Sequence, residues 1–246
     1  MDRFMNTFRV QCNMARRLFA LVLVLIIVSG LLFVGFYGAN ISDQDTVGKK
    51  ASDLVKGPFT NVLFEVDYLS VQPETVPDEN EVNNFLAFAR RYTGKEVRAE
   101  YSELSPDLAT TGHWDEAALR ILASKTRNTQ SWPFYQLSVH ILYVNALFAP
   151  PEQGTAGLSI DATTIVVFRG LFAVANPDAE DAVLAHEFGH LMSLCGLGTS
   201  DPKEICDGSG HSKDSQSLMA ANITMLSPWV QRLELMPDEV ELLNAL

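Results

Sequence analysis

The chain has 246 residues, 47% of them hydrophobic and 20% charged, which allows one ordinary domain plus an accessory segment and excludes a disordered or collagen-like chain. With 18 Lys and Arg against 30 Asp and Glu, the net charge of −12 lacks the clustered cations that a phosphate backbone requires, so no nucleic acid partner is expected.

Residues 18–38 (LFALVLVLIIVSGLLFVGFYG) carry no charged side chain, and at 1.5 Å rise per residue this run reaches about 30 Å, the hydrocarbon thickness of a bilayer. Arg3, Arg9, Arg16 and Arg17 precede the run against Asp2 alone. The positive-inside rule therefore orients a single-pass protein with residues 1–17 cytoplasmic, a transmembrane signal-anchor at 18–38, and the rest extracytoplasmic. The competing expectation is a cleaved signal peptide, for which Gly35, Gly38 and Ala39 are small enough, but the run is longer than a usual signal core. No cysteine directly follows the run, in residues 39–60, to carry a lipid. Cys12 falls on the cytoplasmic side, whereas Cys195 and Cys206 fall outside, where a disulfide persists; unpaired thiols or thiolate metal ligands are the alternatives.

Residues 39–60 are polar, contain Gly and Pro, and predict a juxtamembrane linker before a domain at 61–246. Periodicity then predicts strands at 62–69 and 96–101 and helices at 81–91 and 115–125. Further strands are expected at 136–147, 156–161 (a short edge strand) and 163–168. This alternation implies an α/β class, α+β zincin-like in detail: a mixed, largely parallel twisted sheet covered by helices. Asn176, Pro177 and Asp178 give a helix start, with Glu180 and Asp181 opposing the positive end of the helix dipole. A last helix, 237–246, packs through Val240, Leu243 and Leu246 and receives no function.

The helix after Asn176 carries His186-Glu187-Phe188-Gly189-His190, an HExxH motif. Four-residue spacing puts both imidazoles on one helical face, able to reach one tetrahedral Zn²⁺, while Val183, Leu184, Leu191 and Leu194 supply an apolar opposite face. Glu187 is the candidate catalytic residue, a general base taking a proton from a zinc-activated water as it attacks a peptide carbonyl. The bland alternative is two surface or satisfied core histidines on an ordinary helix.

A catalytic zinc needs a third protein ligand. The stretch from His211 to Met219, preceded by Gly208 and Gly210, resembles the segment of metzincins that runs from the third histidine to the methionine turn, particularly the matrixin-like branch. It is also similar to small membrane-anchored zinc proteases of archaea, which join HExxH to a distant Gly-His-Ser segment and a Met. The resemblance implies one catalytic Zn²⁺ on His186, His190 and His211, with Met219 as structural support beneath it and no separate cofactor. The sequence departs from that pattern: His190 and His211 are far apart, and Ser193 stands where a glycine is expected, so an insertion closed by Cys195 and Cys206 is implied. Asp207, Asp214, Glu204 and Glu234 stay open as third ligands, and His113 and His140 are read as structural.

The expected function is a membrane-anchored zinc endopeptidase acting on peptide or protein substrates. The alternative is a catalytically inactive, zinc-stabilised extracytoplasmic binding or assembly module. Intramembrane proteolysis is disfavoured because the motif lies far from the apolar run. Substrate preference, latency and oligomeric state are not legible in the residues.

Overall fold

The computed structural model describes residues 19–32, 46–69, 75–108, 113–129, 131, 135–144, 147–148, 155–169, 179–196, 205–222 and 228–246. The chain divides into two compact units, Met1–Ser42 and Asp43–Leu246. In the first, residues 19–32 form a solvent-exposed helix, α1. Among the described residues no helix is long and apolar enough to cross a membrane; Leu18 and residues 33–38 of the apolar run lie outside them.

The second unit contains α2 (Ala51–Val55), β1 (Asn61–Tyr68), α3 (Glu79–Thr93), β2 (Glu96–Glu103), β3 (His113–Trp114), α4 (Glu116–Thr126) and β4 (Gln136–Tyr143). There follow β5 (Leu147–Phe148), β6 (Gly157–Asp161), β7 (Thr164–Val167), α5 (Glu180–Leu191), α6 (Pro228–Gln231) and α7 (Pro237–Ala245). Within the stretch read as linker, α2 buries Ala51 and Leu54, and Phe59 is buried after it, so apolar residues there pack on the unit despite their polar neighbours.

A five-stranded sheet has the order β2-β1-β4-β7-β6, parallel throughout except for β6, which runs antiparallel to β7. The strand expected over 136–147 ends at Tyr143. Val144 N–H donates to Val167 O, and β7 stops there, so the ladder offers no partner beyond that point. Leu147–Phe148 pairs instead with His113–Trp114 in a separate two-residue ladder, which places His113 in a strand.

Both faces of the sheet are covered, as a parallel sheet requires. On the front face Phe64 of β1 meets Phe85 of α3 and Phe188 of α5 edge to face, with centroids 4.9 and 5.4 Å away. On the back face α4 packs Leu119, Leu122 and Ala123 over Leu142 and Val166. That face also buries polar groups. Glu65 accepts the N–H groups of Asn128 and Thr129 and the Thr129 hydroxyl, which holds its carboxyl below the usual range against the upward push of burial. His140 Nε2 lies 2.9 Å from Asp67 Oδ2, so His140 is a core residue held by a carboxylate.

Helix ends follow local chemistry. Asp78 caps α3 by accepting from Asn80 N–H, and Gly94, at φ 66°, ends it in the left-handed region. The proposed cap of α5, residues 176–178, lies outside the described residues. Ala179 gives α5 no side-chain cap; Glu81 of α3 accepts the Asp181 N–H at 3.2 Å instead. Glu180 stands in the first turn of α5, where an acidic group opposes the helix dipole. It is fully buried and accepts from Tyr143 Oη–H at 2.6 Å and Arg169 Nε–H at 2.7 Å, tying α5 to β4. In α7, Leu243 is buried and Val240 partly so, but Leu246 is exposed because it follows the last helical turn.

Candidate metal and catalytic site

Helix α5 is buried on nearly every side, not only on the expected apolar face: His186 and Glu187 are buried as well as Val183, Leu184 and Leu191. His186 and His190 emerge one turn apart with their Nε2 atoms 3.1 Å apart and their rings nearly perpendicular. His186 Nδ1–H donates to Leu218 O at 2.8 Å; a carbonyl can only accept, so the bond fixes the tautomer and leaves Nε2 with its lone pair toward the cluster.

The chain then reverses. Ser193 and Cys195 adopt left-handed backbone, at φ 62° and 55°, and so make the turn for which the resemblance implied a glycine. Cys195 and Cys206 form a disulfide with their Cα atoms 5.3 Å apart, the pairing expected from the sequence. From Cys206 a tight hairpin runs to Ser212, closed by Asp207 N–H to His211 O and Lys213 N–H to Ile205 O, both at 2.8 Å. Gly208 and Gly210 at its tip have φ 85° and 106°, which side chains on Cβ rarely tolerate. The hairpin delivers His211 to the helix, its ring 5.4 Å from His186 and 5.1 Å from His190, centroid to centroid.

The ring nitrogens of His186, His190 and His211 lie within 4.8 Å of one another, and among the described residues they form the one group able to hold a metal ion. None of the acidic alternatives among the described residues joins it. Asp207 folds back on its own hairpin, where Oδ1 accepts the N–H groups of Ser209 and His211. Asp214 accepts Gln216 N–H in the next turn, Glu234 pairs with Arg91 and Arg232, and Glu204 lies outside the described residues.

The donor set fits Zn²⁺. Two imidazoles on a tetrahedral ion with Zn–N near 2.05 Å have their nitrogens about 3.3 Å apart, close to the 3.1 Å separation of the His186 and His190 Nε2 atoms. Burial pushes the pKa of all three imidazoles down, and neighbouring imidazoles push His190 and His211 further, so the cluster favours the neutral form a metal needs.

Met219 is fully buried, its Sδ against Gly189 of the HExxH helix so closely that a Cβ there would collide with it. Two further residues bear on Glu187 and were not singled out from the sequence. The Ser159 hydroxyl of β6 lies 2.9 Å from Glu187 Oε2 and 2.8 Å from Glu187 O and shares its one proton between them. Gly157 leaves room for the carboxylate, because a Cβ there would stand 2.7 Å from Glu187 Cγ. The edge-strand reading of 156–161 was the one available signal. Burial raises the Glu187 carboxyl to about 7 against the lowering effect of Ser159.

Residues 120–194 match the family described as Peptidase family M48, a stretch that runs from α4 to the end of the HExxH helix and stops before the His211 hairpin. No curated protein matches the chain. Among solved structures it is similar to the crystal structure of archaemetzincin from Methanopyrus kandleri, at 16% identity over 77% of this chain and 96% of that one, with a TM-score of 0.46. The family match and the three-imidazole cluster support a zinc metallopeptidase.

Proposed function

We propose that the chain is a membrane-anchored, metzincin-like zinc endopeptidase whose catalytic unit lies outside the cytoplasm. The observation that carries the reading is the convergence of His186, His190 and His211 beside a buried Glu187. One catalytic Zn²⁺ would be held by those three imidazoles, and the chemistry it supplies there is Lewis acidity toward a carbonyl oxygen and acidification of water. Glu187 takes the proton of the attacking water and hands it to the departing amine. Ser159 and Gly157 keep its carboxylate in place while it does so. His186 is held in its ligating tautomer by Leu218 O.

The uncharged run at 18–38 and the arginines before it support the anchor and its orientation, with residues 1–17 inside and the unit from 61 onward outside. The observed disulfide accords with an oxidising compartment. Peptides or proteins near the membrane surface are the substrate class.

The test is elemental analysis of the full chain in detergent, with cleavage of a mixed quenched-fluorescence peptide library. One zinc per parent chain, its loss in His211→Ala, and a kcat about 10²–10⁴-fold lower in Glu187→Gln with zinc retained are the expected results. Zinc bound with no cleavage by the parent favours the inactive zinc-stabilised module. A folded parent without zinc removes both readings.

A further inference from the structure

Helix α7 lies well beyond the site in sequence, yet its first turn reaches the metal cluster through three links. Glu239 is 1% exposed and uses both carboxylate oxygens: Oε2 accepts Met236 N–H at 2.8 Å, and Oε1 accepts the Ser217 hydroxyl. Ser217 is fully buried, and its Oγ accepts Met219 N–H at 2.8 Å. Between those two anchored residues sits Leu218, whose carbonyl receives His186 Nδ1–H at 2.8 Å.

A buried carboxylate is costly unless its oxygens are satisfied, and burial raises the Glu239 carboxyl accordingly. Capping α7 through Met236 N–H uses one oxygen and accounts for one of its two bonds. The second goes to the backbone segment that carries Leu218 O. Removing the Ser217 hydroxyl would release Met219 N–H and let the Leu218 carbonyl rotate, and the partner that sets the His186 tautomer would go with it.

We infer that Ser217 and Glu239 are positioning residues for the metal site, clamping the Leu218 carbonyl so that His186 presents Nε2 to the ion. The inference rests on the proposed zinc reading. It assigns to the C-terminal helix a role in metal affinity that neither the HExxH motif nor the His211 hairpin contains.

The test measures Zn²⁺ dissociation constants by chelator competition, and the visible spectrum of the Co²⁺ form, for the full chain in detergent. Ser217→Ala should bind Zn²⁺ about 10–100-fold more weakly, the range for loss of outer-shell partners, with a changed Co²⁺ band. Ser217→Thr, which keeps a hydroxyl, should restore both. Glu239→Gln preserves volume but removes one of two acceptors, and should weaken binding about tenfold; it reads the clamp if Ser217→Ala does not fold. A purely structural role would lower Tm and leave the dissociation constant and spectrum of the folded protein at parental values. That outcome overturns the inference while the zinc reading stands. A parent that binds neither metal overturns the zinc reading and the clamp together.

Discussion

Helix α5 and the segment 205–222 bring imidazoles to the same cluster, but packing holds the helix and tethers hold the segment. Around α5, Val183, Leu184, Phe188 and Leu191 are buried against the sheet and α3. In the segment, Asp207, Gly208 and Ser209 are exposed, and His211 is kept in place by the disulfide, the hairpin bonds and Ser212 N–H to Met219 O at 2.8 Å. A site assembled from one packed and one tethered half should lose its halves under different perturbations.

The largest separation should come from the tether. Replacing Cys195 and Cys206 by Ser opens an 11-residue separation, a loss of about 3 kcal/mol in the chain-entropy model, read by denaturant unfolding. Zinc affinity should fall with it, while hydrogen exchange in α5 stays slow. Equal loosening of α5 would erase the distinction between the two halves.

Next is the seam where the halves touch. Gly189→Ala drives a methyl into Met219 Sδ, and overpacking of this kind costs about 1–3 kcal/mol. Thermal unfolding of this variant should show it, together with weaker zinc binding as Met219 and the following backbone shift. Met219→Leu conserves volume and apolarity, so under about 1.5 kcal/mol is expected, with zinc content at the parental level. A large loss of zinc in that variant would mean that the sulfur itself matters.

The smallest effect concerns the start of α5. Burial raises the Glu81 carboxyl to about 7, with the negative Asp181 and Glu180 adding to the push, from an unfolded value near 4.5. The folded state thus binds the proton more tightly, so this contribution to stability is complete below pH 4.5 and is lost as pH rises through 7. Glu81→Gln keeps an oxygen for the Asp181 N–H and removes the titration. Its Tm should match the parent near pH 4 and exceed it by a few degrees at most near pH 8; a constant difference across that range would refute the assignment.

The same contrast explains what was legible in the residues. His186 and His190 are four apart on one helix, so helical geometry alone pairs them, and the βαβ alternation predicts the parallel sheet that carries the helix. His211 was reached through a resemblance, because its approach depends on two left-handed residues and a disulfide that no periodicity encodes. Ser159, a strand away, and Glu239, on the last helix, act on the site only through tertiary contact. In the same way the Asp181 amide, in the first turn of α5, finds a carboxylate from α3, a hundred residues earlier in the chain. The split of the strand expected at 136–147 reflects where β7 ends, which is a property of its neighbour.

The placing of β6 at the rim of the sheet carries one more consequence. A rim strand normally offers a row of open amides and carbonyls on which a second copy can template itself. Here the strand has five residues, begins with a glycine, and slips register between Ser159 and Asp161. A bulge of this sort twists the rim away from a flat approach and shortens the row of open groups, and Asp161 adds charge at its end. The strand that braces Glu187 is thus also built to resist stacking of one molecule on the next.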